Sequence, residues 1–313
     1  MPTHREVSVN GITMHIAEQG EGPLVLLLHG WPESWYSWRH QFQPLADAGY
    51  HVVAPDQRGF GGTDRPEGVD QYTIFHLVGD VIGLIGALGE EGAVVIGHDW
   101  GAPVAWNTAL MRPDIVRGVA GLSVAPARRS PAPPLSIARR HFGEEFYQIY
   151  FQQPGIAEAE LSRDVTTTFR KVLAGGAGEA PKPLLTAPGG GFLDPIREPE
   201  TLPSWLTDED IAAFVAQYER NGFAGGLNWY RNIDRNWELT TPWQNTQITP
   251  PSLYITGDRD PVRSFSSPDT IPRLPEILPN LTGVLDLPGC GHWIQQERPD
   301  EVNAALLEFL KGL

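Results

Sequence analysis

The run Val94-Val95-Ile96-Gly97-His98-Asp99-Trp100-Gly101-Ala102 sets an aspartate between small residues, after an apolar strand pattern and before a helical one. Pro103 fits the first turn of that helix. A Gly-x-Asp-x-Gly turn of this kind suits a nucleophile elbow, in which a reactive side chain is raised on a tight strand-to-helix turn. A carboxylate nucleophile selects its own chemistry. Attack on a carbonyl gives only an anhydride, whereas displacement at saturated carbon gives an ester that water can cleave. Asp99 therefore points to an sp³ carbon bearing a leaving group, chiefly an epoxide or a haloalkane. The competing reading is an aspartate that caps the following helix. Cleaving such an ester needs a general base held by a third group. His292, in Pro288-Gly289-Cys290-Gly291-His292-Trp293, is the candidate base, and Tyr254-Ile255-Thr256-Gly257-Asp258-Arg259-Asp260-Pro261 offers Asp258 and Asp260 as its partner.

The elements that must position these groups can be read from periodicity. Alternating Val7 and Val9, then Ile12, Met14 and Ile16, flank Asn10-Gly11, a hairpin signal. Continuous apolar runs at 24–28, 51–54, 93–96, 116–124, 252–255 and 281–287 predict strands buried on both faces of a parallel sheet. Helical faces separate them, such as Ile74, Leu77, Val78, Val81, Ile82 and Ile85, and later Val302, Leu306, Phe309 and Leu310. A hairpin followed by strand–helix alternation fits an α/β-hydrolase core with a mostly parallel eight-stranded sheet. The alternation breaks at Ala-Arg-Arg-Ser-Pro-Ala-Pro-Pro and resumes near Trp243. Residues 128–242 are accordingly expected to form an inserted helical cap over a core of 1–127 and 243–313. Within that cap, Thr207 and Asp210 predict a capping box ahead of Ile211, Phe214, Val215 and Tyr218, and 174–191 predict a long loop.

On this scaffold the chain order of nucleophile, acid and histidine is the expected one. The loop His29-Gly30-Trp31-Pro32 after the first buried strand should supply one oxyanion-hole donor, so the backbone N–H groups of Trp31 and Trp100 are assigned that task. His29, Pro32 and Trp293 are candidate pocket residues, and Pro32 is a candidate for a cis bond.

At this level of detail the chain resembles the soluble epoxide hydrolases of the α/β-hydrolase superfamily. The likeness runs through His-Gly-Trp-Pro-Glu-Ser at 29–34, Asp-Gln-Arg-Gly-Phe-Gly-Gly at 56–62, Gly-His-Asp-Trp-Gly at 97–101 and Gly-His-Trp at 291–293. It extends to Tyr147-Gln148-Ile149-Tyr150-Phe151-Gln152 and Asn228-Trp229-Tyr230-Arg231-Asn232. The resemblance implies Asp260 as the acid, three residues after Gly257, and two cap tyrosines that hydrogen-bond the epoxide oxygen, matched here by Tyr150 and Tyr230. Tyr147, one helical turn away, competes with Tyr150. A phenol stays protonated at neutral pH and can assist a basic alkoxide to leave. A haloalkane dehalogenase needs no tyrosine pair, and a non-catalytic receptor on the same scaffold should carry a damaged triad.

Composition narrows the partners. The 313-residue chain carries a formal charge of −15, which disfavours nucleic acid and anionic membranes. A small hydrophobic epoxide and water are the expected partners, and a homodimer is left open. The single cysteine, Cys290, allows no intrachain disulfide and reads as a packed residue rather than a nucleophile. With no signal-like apolar run, a cytoplasmic location is expected. No metal-ligand spacing or phosphate-binding glycine loop is present, so no cofactor is expected. Asp56 and Arg58 read as loop braces.

Overall fold

The computed structural model describes residues 1–175 and 182–313. Its centre is a sheet of strands Thr3–Val9 (β1), Ile12–Gln19 (β2), Leu24–Leu28 (β3), His51–Pro55 (β4), Ala93–His98 (β5), Val116–Leu122 (β6), Ser252–Gly257 (β7) and Leu281–Leu287 (β8). Their spatial order is β1-β2-β4-β3-β5-β6-β7-β8. β1, β2 and β4 pair antiparallel, and every pairing from β4 through β3 to β8 is parallel. Asn10 and Gly11, both at positive φ, close the β1–β2 hairpin as the dipeptide predicts.

Side-chain alternation divides the core in two. Leu24, Leu26 and Leu28 of β3 join one apolar cluster with the helices Ile74–Ala87 and Gly101–Met111, while Val25 and Leu27 join another with Phe42, Leu306 and Phe309. A strand buried on both faces must be apolar at every position, hence the unbroken β3 and β5 runs. β8 departs from that reading. It lies at the sheet edge and alternates half-buried with exposed residues, because only one of its sides is paired and covered.

Between β6 and β7 the described chain is helical and adds no strand to the sheet. The Thr207–Asp210 capping box forms at the start of helix Asp208–Asn221. Its Asp210 also accepts from Arg39 Nε at 2.9 Å and from the Tyr36 hydroxyl at 3.0 Å, tying this helix to the segment that follows β3. Two more ties cross the same seam: the Tyr218 hydroxyl donates to the Glu33 carbonyl at 3.1 Å, and Trp229 Nε1 donates to the Arg58 carbonyl at 3.1 Å. Phe214 and Tyr218 are buried against Phe169 with ring centroids 5.5 and 5.0 Å away. Each such buried aromatic stabilises by about 1.5–3 kcal/mol. Of the expected 174–191 loop, residues 176–181 lie outside the described residues, and Leu185 pairs with Phe146 in an isolated bridge.

Candidate active site

β5 is buried from end to end and delivers Asp99 at φ 48°, a left-handed conformation that ordinary side chains avoid. The crowding around it dictates the glycines. A Cβ on Gly97 would lie 2.0 Å from the Gly101 carbonyl oxygen, and one on Gly101 would lie 2.1 Å from the Leu28 carbonyl oxygen. Asp99 Oδ1 accepts the Trp31 N–H at 2.8 Å, and the Trp100 N–H bonds the same carboxylate. Burial raises the Asp99 pKa, opposed by His292, His98 and these two amides.

The loop after β8 brings His292 to the other side of the carboxylate. Its Nε2 lies 3.7 Å from Asp99 Oδ2, and its Nδ1 lies 2.9 Å from Oδ1 of the fully buried Asp260. Asp260 follows β7 and also takes the Val262 N–H at 2.9 Å. Asp258 instead accepts the Gly289 N–H and shapes the turn. Burial opposes a charge on His292, but Asp260 and then Asp99 outweigh it and raise the imidazole to about 9. Asp260 is held below the usual carboxylate range by His292 despite its own burial. At neutral pH these causes favour an imidazolium on His292, held beside the Asp260 carboxylate.

A cavity of about 390 Å³ opens above these groups, lined by Asp99, His292, Trp31, Trp293, Tyr147 and Tyr230 and walled by apolar residues that include Leu184, Phe192 and Ile196. Tyr147 and Tyr230 are buried, their rings 5.8 Å apart, and desolvation raises both phenols far above 10. Both therefore remain O–H donors throughout the physiological range.

Three expectations need correction. Tyr150 does not border the cavity: its hydroxyl donates to Glu160 Oε2 at 2.8 Å, and Tyr147 takes the place expected for it. The two sit at opposite ends of the four-residue helix Tyr147–Tyr150, and the Tyr147 N–H is fixed to the Leu184 carbonyl, which turns Tyr147 inward. His29 is also absent from the cavity wall. It is fully buried with Nδ1 donating to the Gly30 carbonyl at 2.8 Å and Nε2 accepting from the Gln57 N–H at 3.0 Å. Pro32, joined to Trp31 by a cis bond, lies outside the wall as well, because the loop presents Trp31 to the cavity instead.

Several site residues escaped the sequence reading. Fully buried Glu33 accepts from Gly30 N, His98 Nδ1, Gln295 Nε2 and Gln296 Nε2, at 2.8–3.1 Å. His98 then donates through Nε2 to the His292 carbonyl at 2.8 Å. Glu297 accepts the N–H groups of Gly291 and Trp293 at 2.8 and 2.9 Å, one on either side of the histidine. The His292 backbone is thereby held at three points. A carboxylate inside an otherwise buried loop was the available signal for Glu33, since such a group must find donors. Asp56 and Arg58 do brace loops: Asp56 accepts from Trp35 N and Gly62 N, and Arg58 grips Asp80 through two bonds of 2.7 and 2.6 Å. Burial keeps Cys290 a thiol. No group of three metal-ligating side chains occurs among the described residues, and no described helix is long and apolar enough to cross a membrane.

Residues 23–299 match the family described as alpha/beta hydrolase fold. The chain is 48% identical to epoxide hydrolase A of Mycobacterium tuberculosis, covering 100% of this chain and 98% of that one. The chain belongs to the epoxide hydrolases of the α/β-hydrolase superfamily. Epoxide hydrolase 1 of Siraitia grosvenorii is 44% identical, with 98% of each chain covered. The crystal structure of epoxide hydrolase A from Mycobacterium thermoresistibile superimposes with a TM-score of 0.94 at 49% identity, covering 100% of this chain and 99% of that one. An epoxide hydrolase from Vigna radiata gives 0.95 at 39% identity, covering 100% and 98%. The enzyme thus shares both sequence and architecture with these proteins along its whole described length.

Proposed function

We propose that the enzyme converts small hydrophobic epoxides to vicinal diols through a hydroxyalkyl ester on Asp99, with residues 128–242 acting as a cap that carries the leaving-group donors. The observation that supports this reading is the convergence of a carboxylate, an imidazole and two phenols on one cavity. Oδ1 of Asp99 is already engaged by Trp31, so Oδ2 is the attacking atom. As Oδ2 bonds to carbon, the ring C–O bond breaks, and the departing oxygen takes a proton from Tyr147 or Tyr230 while the other donates a hydrogen bond. Ester formation removes the Asp99 charge, one of the causes that raise His292. The imidazolium then returns its proton to the phenolate and becomes a neutral base. It accepts a proton from water, which adds to the ester carbonyl, and the oxyanion at Oδ1 is stabilised by the Trp31 and Trp100 N–H groups. Collapse expels the diol oxygen, which takes the proton of the new carboxyl group, and the resting ion pair is restored.

A haloalkane-displacing site would have little use for two buried phenols facing the nucleophile, because halide leaves without a proton. Enzyme in excess over a styrene-type epoxide in ¹⁸O-labelled water tests the route. The first-turnover diol should lack the heavy isotope, and Asp99 should gain one heavy oxygen. A heavy first-turnover diol means direct attack by water.

A further inference from the structure

Glu160, in the helix Ile156–Leu161, is built into the cavity wall although it does not line the cavity. Its Oε1 accepts the Leu193 N–H at 2.8 Å, and its Oε2 accepts the Phe192 N–H at 3.0 Å and the Tyr150 hydroxyl at 2.8 Å. Two adjacent backbone N–H groups aimed at one carboxylate form an anion nest, occupied here by a side chain of the same molecule. The approach is tight enough to require glycine at 191, where a Cβ would lie 2.0 Å from Oε1. Lys171 Nζ also donates to the Leu193 carbonyl at 3.0 Å. The Phe192 ring held in this way packs edge-on to Trp31 and Phe151, at 6.0 and 5.1 Å between centroids, and forms part of the cavity surface.

We propose that Glu160, tuned by Tyr150, is a specificity-determining residue that sets the width of the epoxide pocket by pinning Phe192. Tyr150 thus acts on substrate fit, and Tyr147 on bond breaking. The phenol neutralises no charge but satisfies one of the lone pairs of Oε2, so its loss should loosen the anchor only in part. This inference rests on the proposed epoxide chemistry, and the test separates the two.

Glu160→Gln keeps the size of the side chain but faces the two N–H groups with an amide that has only one acceptor oxygen. Gly191→Ala disturbs the same contact from the other partner, and Tyr150→Phe removes a single donor. Each folded variant is assayed for kcat and KM on a compact aliphatic epoxide and on an aryl epoxide. Hydrogen exchange at the Phe192 and Leu193 amides is followed in the same samples. The expected result for Glu160→Gln is an aryl-epoxide KM raised about tenfold, the loss of one charge-assisted hydrogen bond, with kcat within about twofold. The compact epoxide should be nearly unaffected, and the two amides should exchange at least about tenfold faster. Gly191→Ala should follow the same pattern and Tyr150→Phe a weaker version of it. A parallel loss on both substrates, or an unchanged substrate ratio with faster exchange, overturns the proposal. So do unchanged amides. If the parent enzyme turns over neither epoxide, it is the underlying reaction that fails, whatever the amides do.

Discussion

Replacing Tyr147 by phenylalanine is the sharpest probe of the leaving-group assignment. The substitution removes one oxygen atom from a buried side chain and leaves Tyr230, Asp99 and His292 in place. The hydroxyl is paired with Gln148 Nε2 at 3.0 Å and touches the Tyr230 side chain, so no buried charge is stranded by its loss. What disappears is one hydrogen bond to an oxygen that becomes anionic as the ring opens. Bonds to charged groups contribute about 1.5–3 kcal/mol. At about 1.4 kcal/mol per factor of ten, ester formation should slow by roughly 10- to 150-fold. Tyr230→Phe should fall in the same range, and the double variant should lose at least about 10³-fold, since the phenol would then have no substitute as proton donor. Rapid mixing at saturating epoxide, followed through tryptophan fluorescence, isolates that step, because Trp31 and Trp293 line the cavity. Tyr150→Phe is the control and should leave the saturating rate within about twofold. If Tyr150→Phe slowed the opening as much as Tyr147→Phe, the assignment would be refuted.

His292→Gln should still open the epoxide but fail to hydrolyse the ester, so intact-protein mass should rise by one substrate mass and stay there; an unmodified protein would count against the ester. Epoxide opening should be lost on acidification through the raised pKa of Asp99, because only the carboxylate attacks; kcat/KM measured between pH 4 and 8 should show this acid limb above the ordinary aspartate value. His292 titrates at about 9 in the folded protein against 6.5 unfolded, so its stabilising contribution is complete below 6.5 and lost as pH rises through 9. The stability difference between parent and His292→Gln, from denaturant melts, should therefore shrink across that window. Gly97→Ala should destabilise by about 1–3 kcal/mol or more, as overpacking against the Gly101 carbonyl demands, and thermal melting would reveal it.

The placement of Asp99, Asp260 and His292 was legible because each follows a strand whose apolar run is visible in the sequence. Asp99, Asp260 and His292 follow β5, β7 and β8, and strand ends are fixed by the sheet. The choice between Tyr147 and Tyr150 was not legible. Both belong to one turn of helix, and their fates are decided by Leu184 and Glu160, partners from other segments. Glu33 and His98 stand 65 residues apart in the chain and meet only when β3 and β5 lie side by side. Periodicity misjudged β8 for a related reason. It reports how apolar a strand is, but not whether a neighbour covers its far side.

The seam between the proposed cap and the sheet-bearing core has a further consequence. The segment Gly30–Glu33 holds the Trp31 amide against Asp99 and, at Glu33, receives the Tyr218 hydroxyl from the helix Asp208–Asn221. The neighbouring segment around Arg58 receives Trp229, whose next residue is Tyr230. The two jaws of a calliper are thus set from one pair of loops, with Asp99 on the lower jaw and Tyr230 on the upper. An error of one ångström in such a gauge costs about a hundredfold in rate. Substitutions along this seam, out of reach of any substrate, should be felt first as lost turnover and only later as lost stability.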